Sequence, residues 1–243
     1  KILHINKFFW LAGGIERYMF DISRMQRDAG HETIFFAMQH PDNRPSEQSG
    51  YFASRIEFRN TSAAYKLRNA TRIVAKSIHS QESKRKLAAL IDAEKPDVAH
   101  VHLVTHQLSP SVLEALIEAQ VPAVMTVHEH SLGCPSGRRY VPHLNETCRR
   151  CFDGSLMSAV QHRCVQDRTL PSLLAATAVA AHRRSRIYQR GIQLFLCPSE
   201  TARDAALAGG IDRERTRILR YAIDVRAFVP STDPGDYFFC YWR

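Results

Sequence analysis

Short apolar runs alternate with segments of helical periodicity along most of the chain, and that alternation constrains the fold more than any other feature. The runs are Ile2-Leu3-His4-Ile5 and residues 31–38, 96–103, 122–128 and 192–197. Helical signals lie over residues 14–30, in two pieces over 62–93, and over 109–120, 170–190 and 199–207. Strands this short and apolar need cover on both faces, and a parallel strand reaches its neighbour through a crossover helix. The pattern predicts an α/β fold, a Rossmann-like parallel sheet flanked by helices. Residues 39–50, rich in Pro, Asn, Asp and Ser, read as a mobile surface loop.

At 243 residues the chain has room for one large domain, or for one domain and the start of another. It is 44% hydrophobic and 23% charged, the balance of a soluble protein with a sizeable core. No apolar run approaches the ~20 residues of a membrane span, and the N-terminus lacks a signal peptide's apolar region. The three glycosylation sequons at Asn60, Asn69 and Asn145 are therefore read as coincidence, and the cytoplasm as the location. A net charge of +9 points to an anionic partner: nucleotide phosphates, nucleic acid or an acidic membrane surface.

Gly13-Gly14 follows the first strand and opens the first helix. Glycines there let the backbone approach a ligand, and the helix start offers unpaired N–H groups and a positive dipole end to an anion. The stretch is neither GxGxxG nor GxxxxGK[ST], so it reads either as a diphosphate cradle or as a tight connection. In parallel sheets ligands collect at the carboxyl ends of strands. His102, His128 with Glu129, and Ser199 with Glu200 fall at such ends. His128 is the leading candidate, since an imidazole there can hydrogen-bond a sugar hydroxyl or stabilise developing charge. Ser199 also suits a helix N-cap. No GxSxG or HExxH is present, which removes the basis for a nucleophilic triad.

Cys134, Cys148, Cys151 and Cys164 share one insertion, the middle two as a CxxC pair. The group suits structural zinc, with His143 and His162 as substitute ligands; reduced thiols or a disulfide are the alternatives. Cys197 and Cys240 read as core cysteines. The helix over 170–190 carries an apolar stripe at Leu170, Leu173, Leu174, Thr177, Ala181 and Tyr188, read as core-facing. Arg183, Arg184, Arg186 and Arg190 lie outside that stripe and read either as a solvated basic face or as a dock for an anionic membrane or an acidic acceptor. Neutralising Arg183, Arg184 and Arg186 is expected to weaken liposome binding.

Taken together, several pieces resemble the N-terminal domain of family 4 glycosyltransferases, retaining, nucleotide-sugar-dependent enzymes of the two-domain GT-B fold. They are Gly13-Gly14-Ile15-Glu16, residues 96–102, Thr126-Val127-His128-Glu129, Pro198-Ser199-Glu200 and Tyr221-Ala222-Ile223-Asp224 before Phe228. The resemblance implies that Gly13, Gly14 and Glu16 belong to a loop near the donor diphosphate and acceptor, and that His128 contacts the transferred sugar. It implies a saccharide or lipid-linked acceptor, no catalytic metal, and a cytoplasmic protein peripheral to the inner face of the membrane. Residues 1–224 would be the acceptor-side domain, 225–235 a linker, and 236–243 the first strand of the protein's own C-terminal, donor-binding domain. The fragment alone is then expected to be inactive. The sequence departs from the family where Tyr221-Ala222 replaces the usual Asn-Gly. A zinc-organised nucleic-acid-binding domain is the competing reading. It is disfavoured because aromatics do not interleave with the arginines and no RNP-type motif occurs. A non-catalytic scaffold of the same fold is the third.

Overall fold

The computed structural model of the protein describes residues 1–55, 78–105, 108–227 and 236. Strands β1 (Ile2–Ile5), β2 (Thr33–Phe36), β3 (Val98–Val101) and β4 (Ala123–Thr126) alternate with helices α1 (Gly14–Asp28), α2 (Gln81–Glu94) and α3 (Ser111–Glu118). An insertion follows, with a hairpin of β5 (Tyr140–Val141) and β6 (Glu146–Thr147) and two short helices, α4 (Arg150–Asp153) and α5 (Met157–Gln161). Then come α6 (Thr169–Ser185), α7 (Ile187–Gly191), β7 (Leu194–Cys197), α8 (Glu200–Ala208) and β8 (Thr216–Ile218). The main sheet has six strands, parallel throughout, in the order β2-β1-β3-β4-β7-β8. This is the Rossmann-like arrangement that the alternating pattern predicts. Chain direction across the sheet reverses between β1 and β3, which opens a crevice at their carboxyl ends.

The two faces of this sheet differ in chemistry. Leu3, Ile5, Ala99, Val101, Met125 and Phe195 pack with Leu87 and Leu90 of α2, Leu113 and Leu116 of α3, and Ile187 of α7. Each of the larger side chains among them contributes about 1.5–3 kcal/mol when fully buried. The alternate positions His4, His100 and Thr126 are also buried, yet polar. They face α1, which reaches them with Gln26 and Tyr18.

Several local expectations change. The helix over 170–190 is two helices, broken at Arg186, whose φ of 52° lies in the left-handed region. Its apolar stripe is core-facing only at its end: Tyr188 is buried in the main core, but Leu170 is 60% and Leu173 40% exposed, while Ser172 and Ala176 are buried. Small side chains let α6 sit close to α5, so its larger ones turn outward. Arg183 is not a solvated charge either, because its Nη2 donates to the Gly133 carbonyl at 3.1 Å. Residues 39–50 are anchored by Gln39 N–H to Ala53 O at 2.7 Å and Arg44 N–H to Phe9 O at 3.0 Å. The strand β8 is an addition to the sequence reading. The first helical piece over 62–77 and the strand over 236–243, apart from Asp236, lie outside the described residues.

Candidate active site at the sheet crevice

A row of imidazoles crosses the polar face and ends in the crevice. In the parallel register His4 lies opposite His100. His102 follows β3 and His128 follows β4. With its amide oxygen facing His4, Gln26 accepts from His4 Nε2–H at 2.7 Å. The unprotonated His4 Nδ1 then accepts from His102 Nε2–H at 3.1 Å, and His102 Nδ1 accepts from His128 Nε2–H at 3.1 Å. That leaves His128 Nδ1 to accept the Tyr221 hydroxyl at 2.7 Å. Each neutral ring has one donor and one acceptor, so one fixed end sets the tautomer of all three.

Burial keeps the row neutral. Desolvation lowers His4 and His128 from 6.5 to about 4 and His100 to about 3, and pushes His102 down as well. His4, His100 and His102 also present ligand atoms within 4.8 Å of one another, a spacing that can hold a metal. Both nitrogens of His4 and of His102 are already engaged, and His100 Nε2 bonds the Thr126 hydroxyl at 2.8 Å. His4 and His102 are thereby committed to the hydrogen-bond chain, and His100 to Thr126.

Around its open end, Tyr18 packs edge-on to His128 with centroids 5.4 Å apart and lies 4.7 Å from the Tyr221 ring. Burial raises both phenols, Tyr221 to about 12, so both stay protonated donors. Glu129 receives the Thr105 hydroxyl at 3.5 Å. Glu16 is 3% exposed, and its Oε1 accepts from Asn6 Nδ2 at 3.0 Å. Asn6 Oδ1 takes the Leu103 N–H at 3.1 Å, which ties the end of β1 to the end of β3. Lys7 sits near both Glu129 and Glu16, and burial lowers its pKa. Glu16 thus braces the loop from inside.

Gly13 caps α1 with φ −179°, an extended conformation open to any residue. A Cβ on Gly14 would meet nothing within 4 Å. The glycines are not required by the turn itself; they leave the helix start open to approach. Beside this loop, Arg17, Arg24, Arg27 and Arg44 surround Phe9 and Phe20 in a groove of about 370 Å³.

The structure brings His102, His128 and Glu129 to the same end of the sheet. Ser199 is committed elsewhere: its Oγ accepts the Ala202 N–H at 3.2 Å and caps α8. Ser199→Ala should cost about 1 kcal/mol, a Tm decrease of roughly 2–4 °C in a calorimetric scan. His4, Lys7 and Tyr18 are site neighbours that the sequence did not point to, and Tyr221 stood out in it only as a departure from the family pattern. A histidine inside an otherwise apolar strand was the signal available for His4.

No curated protein matches the chain significantly. Among solved structures it is similar to a protein described as a UDP-N-acetylglucosamine 2-epimerase from Listeria monocytogenes, at 15% identity and TM-score 0.42, over 88% of this chain and 43% of the other. It is also similar to the S. aureus MnaA–UDP co-structure, at 16% identity and TM-score 0.42, over 97% of this chain and 49% of the other. The chain thus spans less than half the length of either structure. The profile described as Glycosyltransferase Family 4 matches residues 12–227, and the chain belongs to that family.

Proposed function

We propose that residues 1–224 form the acceptor-side half of a glycosyltransferase that moves a sugar from a nucleotide-sugar donor to an acceptor with retention. In this reading 225–235 link to a donor-binding half that begins at 236–243. Family membership over residues 12–227 supports glycosyl transfer in general. The observation that carries the assignment to this crevice is the histidine chain ending at His128 Nδ1.

A ring with pKa about 4 is a weak base at neutral pH, so His128 serves as a hydrogen-bond acceptor and not as a proton acceptor. Its Nδ1 now receives the Tyr221 hydroxyl, the place a sugar hydroxyl takes when that phenol moves aside. The bond from the anomeric carbon to the diphosphate breaks, the acceptor oxygen bonds to that carbon, and the acceptor's proton leaves on the diphosphate. The open start of α1 at Gly13-Gly14 supplies N–H groups toward the departing anion.

The arginine groove with its aromatic floor favours an acceptor that joins a phosphate to an apolar part, as a lipid-linked saccharide does. Among the described residues no helix is long and apolar enough to cross a membrane. Peripheral attachment to an anionic inner leaflet, through exposed Leu170, Leu173, Arg184 and Arg186, fits such an acceptor.

The gene product carrying both halves, given a panel of nucleotide sugars and lipid-linked acceptors, should release nucleoside diphosphate and form a glycoside of retained configuration. Absence of turnover across the panel would leave a scaffold of this fold, and an inverted product would remove the retaining assignment.

A further inference from the structure

The insertion over residues 129–168 is too thinly built to be held by apolar packing. Its buried apolar side chains among the described residues are Leu132, Pro135, Val141, Cys151 and Ala159. Its strands have two residues each and its helices four and five. Segments with so small a core are ordinarily stapled by a metal or by disulfides.

The structure brings Cys134, Cys148, Cys151 and Cys164 to the wall of one cavity of about 10 Å³, with His162 beside them. Four separate backbone devices deliver them. The Cys134 N–H closes a turn on His130 O at 2.8 Å, and the Cys148 N–H extends the hairpin to Arg139 O at 2.8 Å. Cys151 lies within α4, and the Cys164 N–H bonds Ala159 O at 3.0 Å just beyond α5. The space suits one atom, and the donors are soft sulfurs.

We infer that the insertion is a tetrathiolate zinc site formed by Cys134, Cys148, Cys151 and Cys164. A zinc ion with four thiolates carries a net double negative charge. Two arginines stand ready to offset it: Arg150 Nη1 is 3.7 Å from Cys148 Sγ, and Arg183 of α6 acts electrostatically on Cys151. Only the histidines His4, His100 and His102 meet the 4.8 Å spacing among the described residues, so the sulfurs must rotate inward on binding. Each thiol gives up its proton to solvent as the zinc–sulfur bond forms, with no change in oxidation state.

The site has a consequence for the crevice. The turn after Cys134 carries Gly137 at φ +70°, and a Cβ there would meet the Glu129 carboxylate at 3.5 Å. Zinc would fix this turn and, through it, the residue next to His128.

The test uses the full chain, purified without a polyhistidine tag and assayed for metal by mass spectrometry. About one zinc per chain is expected, and cobalt exchange should give the intense thiolate charge-transfer bands of a tetrahedral sulfur site. Cys151→Ser and Cys164→Ser should each lose most of the metal and those bands, whereas Cys240→Ser keeps them. A metal-free protein with an aqua-like cobalt spectrum would overturn the inference, as would fewer than six reactive thiols on denaturation. So would metal that survives both insertion substitutions and is lost in His102→Asn.

Discussion

Acidification from pH 6.5 to about 5 should destabilise the folded chain well before its carboxylates are protonated. His4 and His128 titrate near 4 in the fold, and His100 near 3, against 6.5 when solvated. Between those values the unfolded chain binds more protons, so stability rises with pH in this window and is lost as pH falls. A shift like that of His4 is worth ~2 kcal/mol by pH 5 and ~3 kcal/mol once fully expressed. Several such groups act together, and a domain of this kind has only about 5–15 kcal/mol in all. Exposed pairs such as Lys95 with Asp92 hold their carboxylates low and stay ionised across the window. Urea midpoints measured from pH 7 to 5 should fall steeply. A flat profile would mean that the imidazoles are not buried as described.

His102→Leu should produce the second large effect. The side chain is 0% exposed and bonds both His4 and His128. Leucine fills comparable space but leaves the His4 Nδ1 acceptor and the His128 Nε2–H donor without partners. Each unpaired buried group costs ~1–3 kcal/mol, against which removal of one buried imidazole is a partial offset. A net loss of about 2 kcal/mol is expected. A merely structural role would stop there. The chain also predicts that His128 loses its single tautomer. Ring ¹⁵N spectra should show protonated Nε2 and bare Nδ1 in the parent protein, and mixed forms in the variant. Unchanged His128 ring signals would refute the relay.

The frame of the sheet was legible because its central strands are short apolar runs with turn residues between them. Strand β8, Thr216-Arg217-Ile218, was not, since an edge strand with two exposed residues shows no apolar run. The break at Arg186 carries no Gly or Pro to announce it. In the site, His128, Glu129 and His102 could be read from their strand ends. The link between them could not, because it depends on strand register: His4 meets His100 across β1 and β3, 96 residues apart by number but neighbours in space. Tyr221 was readable only as a departure from the family's Asn-Gly, and what it does there depends on the chain's return past β8 to within 2.7 Å of His128. The outward turn of Leu170 and Leu173 was hidden for a related reason: periodicity finds a helical face but not which face its neighbours cover.

The most direct test of the proposed function compares the full-length gene product with its His128→Ala variant, matched for folding by circular dichroism. Sugar transfer should fall by about 10²-fold or more in kcat, as removal of one positioned hydrogen-bonding group at a reacting centre commonly gives. Transfer at the parent rate in a folded His128→Ala protein would contradict the account and move the chemistry out of the crevice between β1 and β3.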